Sequence, residues 1–286
     1  MTVLELVQRA SARLDQAGVS FGHGTTNAWD EAAWLVLWRL GLALDALDAS
    51  AACAVDPAQA AACLALIDER IASRRPAAYL TGEAWLQGVP FFADERAIVP
   101  RSLIAEVLAE GLVDLWLGRE PQRVWDLCTG NGSLAVLAAL AWPQAQVEAS
   151  DLSADALQLA QRNVQRHALE DRIHLRQAHG LDGAQGPYDV VLCNPPYVPA
   201  AAMERLPAEY RAEPALALGG GADGMDLVRR IVAGLRTHLA TDGWLVLEIG
   251  HERAHFEAAF PQLEPVWLPC SAGDDQVLAL RGADLP

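Results

Sequence analysis

The stretch with most information about the fold is Val190-Val191-Leu192-Cys193-Asn194-Pro195-Pro196-Tyr197. Its apolar first half has the composition of a buried strand. The two prolines lack an N–H group and restrict the backbone, so the strand cannot continue beyond Cys193. A proline pair can also do no more than end a strand. We therefore predict a rigid corner at the carboxyl end of a buried strand, where open α/β sheets bind their ligands.

The composition describes a globular chain of 286 residues, of which 52% are hydrophobic and 20% charged. No apolar run reaches the ~18 residues that a membrane span needs, and Met1–Arg9 has the charged pattern of an amphipathic helix. The five cysteines form no C-x-x-C pair, which argues against a disulfide framework or a zinc knuckle. We therefore predict a cytoplasmic protein with no membrane partner and no metal site.

The charge balance is strongly acidic, with 21 basic against 37 acidic residues, a net charge of −16 and no lysine. A surface that follows phosphates needs clustered lysine and arginine. We therefore predict no direct contact with nucleic acid and a field that attracts a basic protein. Acidic charge also serves solubility alone, and both explanations stay open at this point.

The N-terminal residues 1–81 have the apolar spacing of a helical bundle and are predicted to form a separate domain. The period then changes to short strands, which predicts a β-hairpin linker over residues 82–99. The predicted helices are Val3–Ala17, Ala28–Leu40, Pro57–Ser73 and a short one after Pro76.

Residues 100–286 begin with a predicted helix over Leu103–Trp116 and then alternate strand and helix, which is typical of a parallel sheet in an α/β fold. The predicted strands are Val124–Cys128, Gln146–Ser150, Ile173–Arg176, Tyr188–Cys193 and Trp244–Ile249, with an antiparallel pair near Val266–Leu268 and Val277–Leu280. The predicted helices between them are Ser133–Ala141, Ala154–His167, Met225–His238 and Glu252–Phe260.

A second informative stretch follows the first of these strands, at Asp126-Leu127-Cys128-Thr129-Gly130-Asn131-Gly132. Two glycines one residue apart let the backbone turn tightly and let a ligand approach it. The next helix presents free N–H groups, and Asp151 after the second strand supplies a carboxylate for the ribose hydroxyls of an adenosine. A dinucleotide fingerprint is incomplete, because Ala135 stands where its third glycine would be.

The glycine turn, Asp151 and the Asn-Pro-Pro-Tyr corner together resemble the class I methyltransferases that use S-adenosylmethionine. The resemblance implies a Rossmann-like sheet with that cofactor, and a reaction on a planar amino group of glutamine, adenine or guanine. The residues it assigns to the cofactor are Asp126, Cys128, Thr129, Gly130, Asn131, Gly132, Asp151, Leu152 and Asn194. The residues it assigns to catalysis are Asn194, Pro195, Pro196 and Tyr197.

The corner suits an amide substrate for a physical reason. An amide nitrogen is a poor nucleophile because its lone pair is conjugated with the carbonyl. The Asn194 side-chain oxygen and the Pro195 carbonyl are expected to hold one N–H each, which directs the lone pair toward the methyl donor. Tyr197 is expected to stack on the planar amide and to face the developing positive charge.

More narrowly, the chain is similar to the HemK/PrmB family of protein N5-glutamine methyltransferases along nearly its whole length. The matching segments include Gly22-His23-Gly24-Thr25, Ala78-Tyr79-Leu80-Thr81, Val99-Pro100-Arg101-Ser102, Glu209-Tyr210 and Glu213-Pro214. The Gly-His-Gly-Thr segment, Cys128 and Ser102 favour the branch that methylates a basic ribosomal protein, L three of the large subunit. The alternative is the branch that acts on peptide chain release factors. In either case the resemblance implies that the N-terminal domain recognises the protein substrate.

Three positions depart from the family pattern. The stretch Gln177-Ala178-His179-Gly180 has no carboxylate where the family has an acidic residue near the adenine, so Gln177 or His179 would have to replace it. Leu103 and Asn131 are milder changes. Further along, Gly219-Gly220-Gly221 is expected to form a mobile loop beside the site.

Other functions stay open. His251-Glu252-Arg253-Ala254-His255 is a literal zinc-protease motif, although His251 follows a predicted strand and is not placed inside a helix. A nucleic-acid amino-group methyltransferase and an inactive adaptor are the remaining alternatives.

Overall fold

The computed structural model describes residues 1–286 and divides into two compact units. The first, which we call the helical unit, comprises Met1–Ala84 and Leu206–Ala212. The second, which we call the sheet unit, comprises Trp85–Arg205 and Glu213–Pro286. The sequence placed residues 206–212 with the C-terminal part of the chain, whereas the structure groups them with the N-terminal helices. None of the helices has both the length and the apolar character needed to cross a lipid bilayer.

The helical unit is a bundle whose three longest helices begin at side-chain caps. Its helices are α1 (Val3–Gln16), α2 (Ala28–Leu40), α3 (Leu47–Ser50), α4 (Pro57–Ser73) and α5 (Ala77–Thr81). Thr2 and Glu5 form a capping box, and the side chains of Asn27 and Asp56 accept from the first turns of α2 and α4. The fully buried side chains between the helices include Leu6, Leu14, Leu35, Leu37 and Ile67. The predicted N-terminal bundle is confirmed, and only the one-turn helix α3 is missing from the prediction.

The segment 206–212 is tied into the helical unit by buried charges. Arg70 of α4 donates to Glu31 of α2 over 2.8 Å and to Glu209 over 3.4 Å. Glu209 also accepts from the backbone N–H of Ser20 at 3.0 Å, and Arg74 donates to it at 3.3 Å. Burial raises the pKa of Glu31. Burial also acts to raise the pKa of Glu209, but its hydrogen-bond donors outweigh that effect, so the pKa of Glu209 is lowered. These bonds explain why a segment from late in the chain belongs to the helical unit.

The same segment packs an aromatic ring against the Gly-His-Gly-Thr stretch. The rings of His23 and Tyr210 lie 4.3 Å apart between centroids. A β-carbon at Gly22 would lie 2.6 Å from the Tyr210 hydroxyl, so a larger residue there would displace that hydroxyl. Two of the segments that carry the family resemblance therefore contact each other.

The other elements are a hairpin, a seven-stranded sheet and the helices that cover the sheet. The strands are β1 (Glu83–Leu86), β2 (Val89–Phe92), β3 (Arg123–Leu127), β4 (Gln146–Asp151), β5 (Ile173–Gln177), β6 (Tyr188–Cys193), β7 (Leu239–Glu248), β8 (Val266–Cys270) and β9 (Gly273–Arg281). The helices are α6 (Ile104–Ala109), α7 (Leu112–Leu117), α8 (Ser133–Ala141), α9 (Ala154–Arg166), α10 (Ala200–Met203), α11 (Asp226–Gly234) and α12 (Arg253–Ala259). β1 and β2 form the predicted hairpin.

The seven strands lie in the order β5-β4-β3-β6-β7-β9-β8, and β9 is antiparallel to both of its neighbours. Side chains alternate between two cores, with Val124 packed on the face covered by α8 and Trp125 on the face covered by α11. Helices on both faces explain why β6 is buried along its whole length. The predicted α/β sheet with an antiparallel pair at its edge is confirmed.

Several predicted elements differ from the structure: the helix predicted over Met225–His238 is α11 followed by a 3-10 helix over Leu235–His238, and β7 begins at Leu239, before the predicted Trp244. The helix predicted over Leu103–Trp116 is two short helices, α6 and α7, because the chain breaks at Glu110 and Gly111. The third short strand predicted near Ala97–Val99 does not form, and these residues follow the hairpin as irregular chain.

Candidate active site

The site lies where the strand order changes direction. β3 and β6 are parallel neighbours, and Leu127 stands opposite Cys193 at their carboxyl ends. The chain order runs outward from β3 to β4 and β5 on one side, and from β6 to β7 on the other. A crevice at such a switch point is where open α/β sheets bind ligands. The glycine turn and the Asn-Pro-Pro-Tyr corner therefore meet at one edge of the sheet.

The turn after β3 needs left-handed backbone at three residues, Cys128, Gly130 and Gly132, whose φ angles are +66°, +56° and +82°. Gly132 also lets α8 approach α9, because a β-carbon there would lie 3.1 Å from the β-carbon of Ala160. Cys128 adopts this conformation at a cost of ~1–2 kcal/mol, because its β-carbon crowds the backbone. Its thiol contacts that of Cys193, whose pKa is raised by burial and by the neighbouring thiol.

Asp126 stabilises the turn from beneath. Its carboxylate is fully buried and accepts from the Thr129 hydroxyl and, over 2.9 Å, from the backbone N–H of Ala135 at the start of α8. Burial raises the pKa of Asp126 to about 7, against the two donors that lower it. The side chain therefore holds the loop in shape and does not face the ligand cavity.

Asp151 at the end of β4 faces the cavity. One carboxylate oxygen accepts from the backbone N–H of Gly130 at 2.9 Å, and the other accepts from the N–H of Ser153 at 2.8 Å. Burial raises the pKa of Asp151, and these backbone donors oppose the shift. A carboxylate oxygen has more than one acceptor position, so each can still accept from a ligand hydroxyl.

The cavity at this edge has a volume of about 300 Å³, which is within the usual size of small-molecule sites. Of the residues predicted from sequence, those that line it are Cys128, Gly130, Asp151, Leu152, Asn194 and Pro196. The predicted residues outside its lining are Asp126, Thr129, Asn131, Gly132, Pro195 and Tyr197. Thr129 bonds to Asp126, and the Asn131 side chain accepts from the N–H of Ser133 at 3.2 Å. Thr129 and Asn131 thus shape the turn and do not form the cavity wall.

One wall of the cavity was not predicted from the sequence. Arg96, Ala97 and Ile98, which follow the hairpin, line it together with Leu216 and Leu227. Nothing in the local pattern of these residues indicates a ligand, because their role comes from the way in which the chain returns to the sheet.

The stretch from Gln177 to Gly180, which lacks the acidic residue of the family pattern, contributes to the cavity wall. His179 lines the cavity, and its ring nitrogens lie 2.9 Å and 3.1 Å from the guanidinium of Arg230, which lines the cavity as well. The Gln177 side chain donates instead to the carbonyl of Leu152 and is not part of the lining. Of the two residues considered as replacements, His179 is the one at the cavity.

The backbone of the corner is held by the triple-glycine segment. Val198 donates to the carbonyl of Leu218 at 2.8 Å, and Gly220 donates to the carbonyl of Val198 at 2.9 Å. A β-carbon at Gly220 would lie 2.7 Å from the carbonyl oxygen of Pro196. The segment that the sequence suggests as a mobile loop is therefore hydrogen-bonded and closely packed against the corner.

Tyr197 is held at its ring and at its hydroxyl. The ring lies over Gly250, where a β-carbon would be 2.7 Å from the Tyr197 Cε2 atom. The hydroxyl donates to Glu248 Oε1 at 3.1 Å. The sequence reasoning missed Glu248, although a single acidic residue inside the apolar run from Trp244 to Ile249 is a recognisable signal.

The two histidines of the zinc-protease motif do not share a helix. α12 begins at Arg253, so His251 precedes it, and the His255 ring lies 2.5 Å from the carboxylate of Glu252. No group of three metal-ligating side chains occurs in the structure. The geometry that such an enzyme needs is therefore not formed by these residues.

The strand order, the glycine turn and Asp151 define this chain as a class I methyltransferase. Two family models agree, the Methyltransferase small domain over residues 104–210 and the PrmC N-terminal domain over residues 5–82. The ribosomal protein uL3 glutamine methyltransferase of Bordetella pertussis is 56% identical over 99% of this chain and 96% of its own length. The enzyme of the same name from Burkholderia pseudomallei is 51% identical over 100% and 96%. The chain belongs to the family of ribosomal protein uL3 glutamine methyltransferases.

Solved structures support the fold. The catalytic domain of hMettl16, solved with a MAT2A 3′UTR hairpin, has a TM-score of 0.52 at 14% identity and covers 78% of this chain and 81% of its own. A methyltransferase from Pyrococcus furiosus has a TM-score of 0.50 at 15% identity, covering 69% and 90%. The predicted Rossmann-like methyltransferase fold and the predicted glutamine methyltransferase family are both confirmed.

Proposed function

We propose that this protein transfers a methyl group from S-adenosylmethionine to the side-chain nitrogen of a glutamine in ribosomal protein uL3. The observation that carries the proposal is that Asp151 and Asn194 line one cavity of about 300 Å³ at the ends of two strands that flank β3. A carboxylate suited to a ribose and an amide suited to a planar amino group thus face the same space. The full-length relatives support the choice of uL3.

The residues present fit the proposed cofactor. The oxygens of Asp151 keep acceptor positions for the two ribose hydroxyls, and Gly130 leaves the backbone beside them open. The apolar side chains of Leu152 and Leu227 offer surfaces to a purine ring. When bound, S-adenosylmethionine supplies an electrophilic methyl group on a positively charged sulfur.

The corner would hold the substrate amide. The side-chain oxygen of Asn194 and the carbonyl of Pro195 each accept one N–H, which leaves the nitrogen lone pair directed out of the amide plane. Holding both reactants at attack distance is worth up to ~7–11 kcal/mol of the barrier. A substrate without the NH₂ group would leave the two acceptors unpaired, at about 1–3 kcal/mol each. The corner therefore selects for primary amides and also orients them.

The roles of the domains follow from the same proposal. Residues 1–81 recognise the protein substrate, residues 82–99 link the two parts, and residues 100–286 carry the reaction. The net charge of −16 favours a basic ribosomal protein as partner over nucleic acid. A ribosomal protein as substrate also places the reaction in the cytoplasm, in agreement with five cysteines that form no C-x-x-C pair.

The test uses the purified protein, labelled S-adenosylmethionine and separate preparations of uL3 and a release factor. We expect label in uL3, and a rise in melting temperature when the cofactor is added. Asn194→Ala should lose transfer by at least ~100-fold while keeping most of the cofactor-induced rise, because its main role is on the substrate amide. Asp151→Ala should lose the rise itself.

Two outcomes would contradict parts of the proposal. Label in the release factor and not in uL3 would assign the substrate of the sister branch. Full activity of Asn194→Ala would remove the role that we give to the corner.

A further inference from the structure

We infer that Glu248 is a positioning residue for the transfer, because it fixes the orientation of Tyr197 in the Asn-Pro-Pro-Tyr corner. The inference rests on the proposed function, in which that corner holds the substrate amide. Glu248 is the last residue of β7 and is only 4% exposed. It does not line the cavity, so it acts on the reaction only through its neighbours.

Both oxygens of Glu248 are occupied by donors. Oε1 accepts from the Tyr197 hydroxyl at 3.1 Å, and Oε2 accepts from the Ser102 hydroxyl at 2.6 Å and the backbone N–H of Leu103 at 2.8 Å. An ionised carboxylate only accepts, which matches three donors. An amide at this position would turn an NH₂ group toward one of them. With the amide oxygen kept on Ser102 and Leu103, the NH₂ group would face the Tyr197 hydroxyl and reverse that hydrogen bond, so only a carboxylate lets all three groups donate.

The carboxylate itself has little freedom. Ser102 and Leu103 precede α6, and together they hold Oε2 on the side of the group opposite Tyr197. Burial raises the pKa of Glu248, and the three donors oppose that shift, so they stabilise its charged form. The acceptor offered to Tyr197 is therefore fixed in space before any substrate binds.

The Tyr197 ring is located by two contacts made by residues two positions apart. Gly250 leaves just enough room for one face of the ring, since a β-carbon there would lie 2.7 Å from Cε2. Glu248 fixes the tip of the same ring through the hydroxyl. A planar ring that is covered on one face and bonded at its end has little freedom to tilt. The ring is thus set in the orientation that it presents to a bound amide.

This orientation matters because Tyr197 lies two residues after Pro195, whose carbonyl would hold the amide together with Asn194. A misplacement of about 1 Å at a reacting centre can cost ~100-fold in rate. Loss of the Glu248 contact should therefore slow the transfer and should leave cofactor affinity unchanged, since neither Glu248 nor Tyr197 lines the cavity.

The test measures kcat and KM for uL3 and Kd for S-adenosylmethionine in the wild type, Glu248→Gln, Tyr197→Phe and the double variant. We expect each single variant to lower kcat roughly 10- to 100-fold, with the cofactor Kd within about twofold of wild type. The double variant should fall no more than about twofold below the slower single variant, because Glu248 acts through the Tyr197 hydroxyl. A merely structural loss would also weaken cofactor binding, so the lower kcat at an unchanged cofactor Kd is what separates a positioning role from it.

Glu106→Gln is the matched control. The Glu106 carboxylate also accepts from a serine, at 2.6 Å from both the hydroxyl and the backbone N–H of Ser271, but it lies outside the cavity lining. Its kcat should stay within about twofold of wild type, because the same kind of hydrogen bond is lost away from the corner.

Two results would overturn the inference alone, given a wild-type protein that transfers methyl to uL3. One is a kcat of Glu248→Gln within about twofold of wild type, and the other is a double variant whose losses multiply. Should Glu248→Gln fail to fold, Ser102→Ala removes one donor to Oε2 and should lower kcat about 3- to 10-fold at an unchanged cofactor Kd. An unchanged kcat there would overturn the inference as well. Absence of any transfer by the wild type would instead overturn the proposed function.

Discussion

Arg70 and Glu209 form an ion pair inside the helical unit although they are 139 residues apart in the chain, and their side chains are 1% and 2% exposed. Glu31 shares the same guanidinium at 2.8 Å. Two carboxylates are thus buried around the Arg70 guanidinium, and Glu209 has a second, partly exposed cation in Arg74 at 3.3 Å. Burial of this kind is stable only while every partner is present.

Arg70→Met should therefore lower the free energy of unfolding by about 3–5 kcal/mol, because it leaves the buried Glu31 without its cation and Glu209 with only the contact to Arg74 at 3.3 Å. Urea unfolding followed by circular dichroism measures the loss. The exposed pair of Arg13 and Asp68, also in the helical unit, supplies the control: at 35% and 61% exposure, Arg13→Met should cost less than ~1 kcal/mol. Equal losses in the two variants would show that burial is not what makes the Arg70 pair important.

Cys128 is held in left-handed backbone with a φ of +66°. Replacing it with glycine removes a strain of ~1–2 kcal/mol and adds flexibility that costs ~0.5–1 kcal/mol. The free energy of unfolding of Cys128→Gly should therefore equal or slightly exceed that of the wild type. Cys128→Val should have a free energy of unfolding at least ~1 kcal/mol below that of the wild type, because β-branched residues tolerate this backbone conformation worst. Thermal and urea unfolding of both variants compare the two. A loss with glycine as large as with valine would mean that the thiol contact with Cys193 outweighs the strain.

Asp126 should make the stability depend on pH. Its pKa is raised from 3.8 to about 7 by burial, so the folded protein keeps a proton that the unfolded chain releases. The contribution is complete below the unfolded pKa and is lost as the pH rises through about 7, which amounts to roughly 4 kcal/mol over that range. Asp126→Asn cannot ionise and should lose less stability than the wild type between pH 5 and pH 8.

Urea titrations of the two proteins across this range measure the effect. Other titrating groups are common to both proteins, so the difference between the two curves isolates Asp126. Parallel curves would mean that the pKa of Asp126 is not raised in the folded protein.

Gly220 has no room for a side chain. A β-carbon there would lie 2.6 Å from the Gly224 carbonyl oxygen and 2.7 Å from that of Pro196, both of them backbone atoms. Gly220→Ala should therefore displace the corner and lower methyl transfer by at least ~10-fold. At Gly219 the nearest atom would be 3.5 Å away, an ordinary contact, so Gly219→Ala should cost much less. Similar kcat values for the two variants would show that the packing at Gly220 does not determine the geometry of the corner.

Local signals in the sequence predicted most of the elements. Asn27 caps α2 through its side chain, and Pro57 opens α4, so both helices begin where the sequence places them. The strand that ends at Cys193 also has the predicted bounds, because its apolar run and the following proline pair are local features. A break at Gly111 was missed where the apolar pattern continued through it.

Long-range contacts were not predictable in this way. The pairing of Arg70 with Glu209 and that of Tyr197 with Glu248 join residues that no periodic pattern connects. The contact of His179 with Arg230 at the cavity likewise joins residues that lie 51 positions apart. The glycine turn and the corner could be identified from sequence because each consists of consecutive residues. The cavity wall formed by Arg96 to Ile98 could not, because it depends on the path of the chain.

Segment 206–212 also sets the order in which the protein can be completed during synthesis. Ribosomes extend the chain from its N-terminus, and domains generally begin to fold as they emerge. The helices α1 to α5 emerge first, but Glu209 follows only after β3 to β6 have been made. Until then Arg70 faces Glu31 alone, so the helical unit, although it is started first, stays incomplete until β3 to β6 of the sheet unit have been synthesised. A gene fragment that encodes only residues 1–84 would keep the nascent chain in that incomplete state.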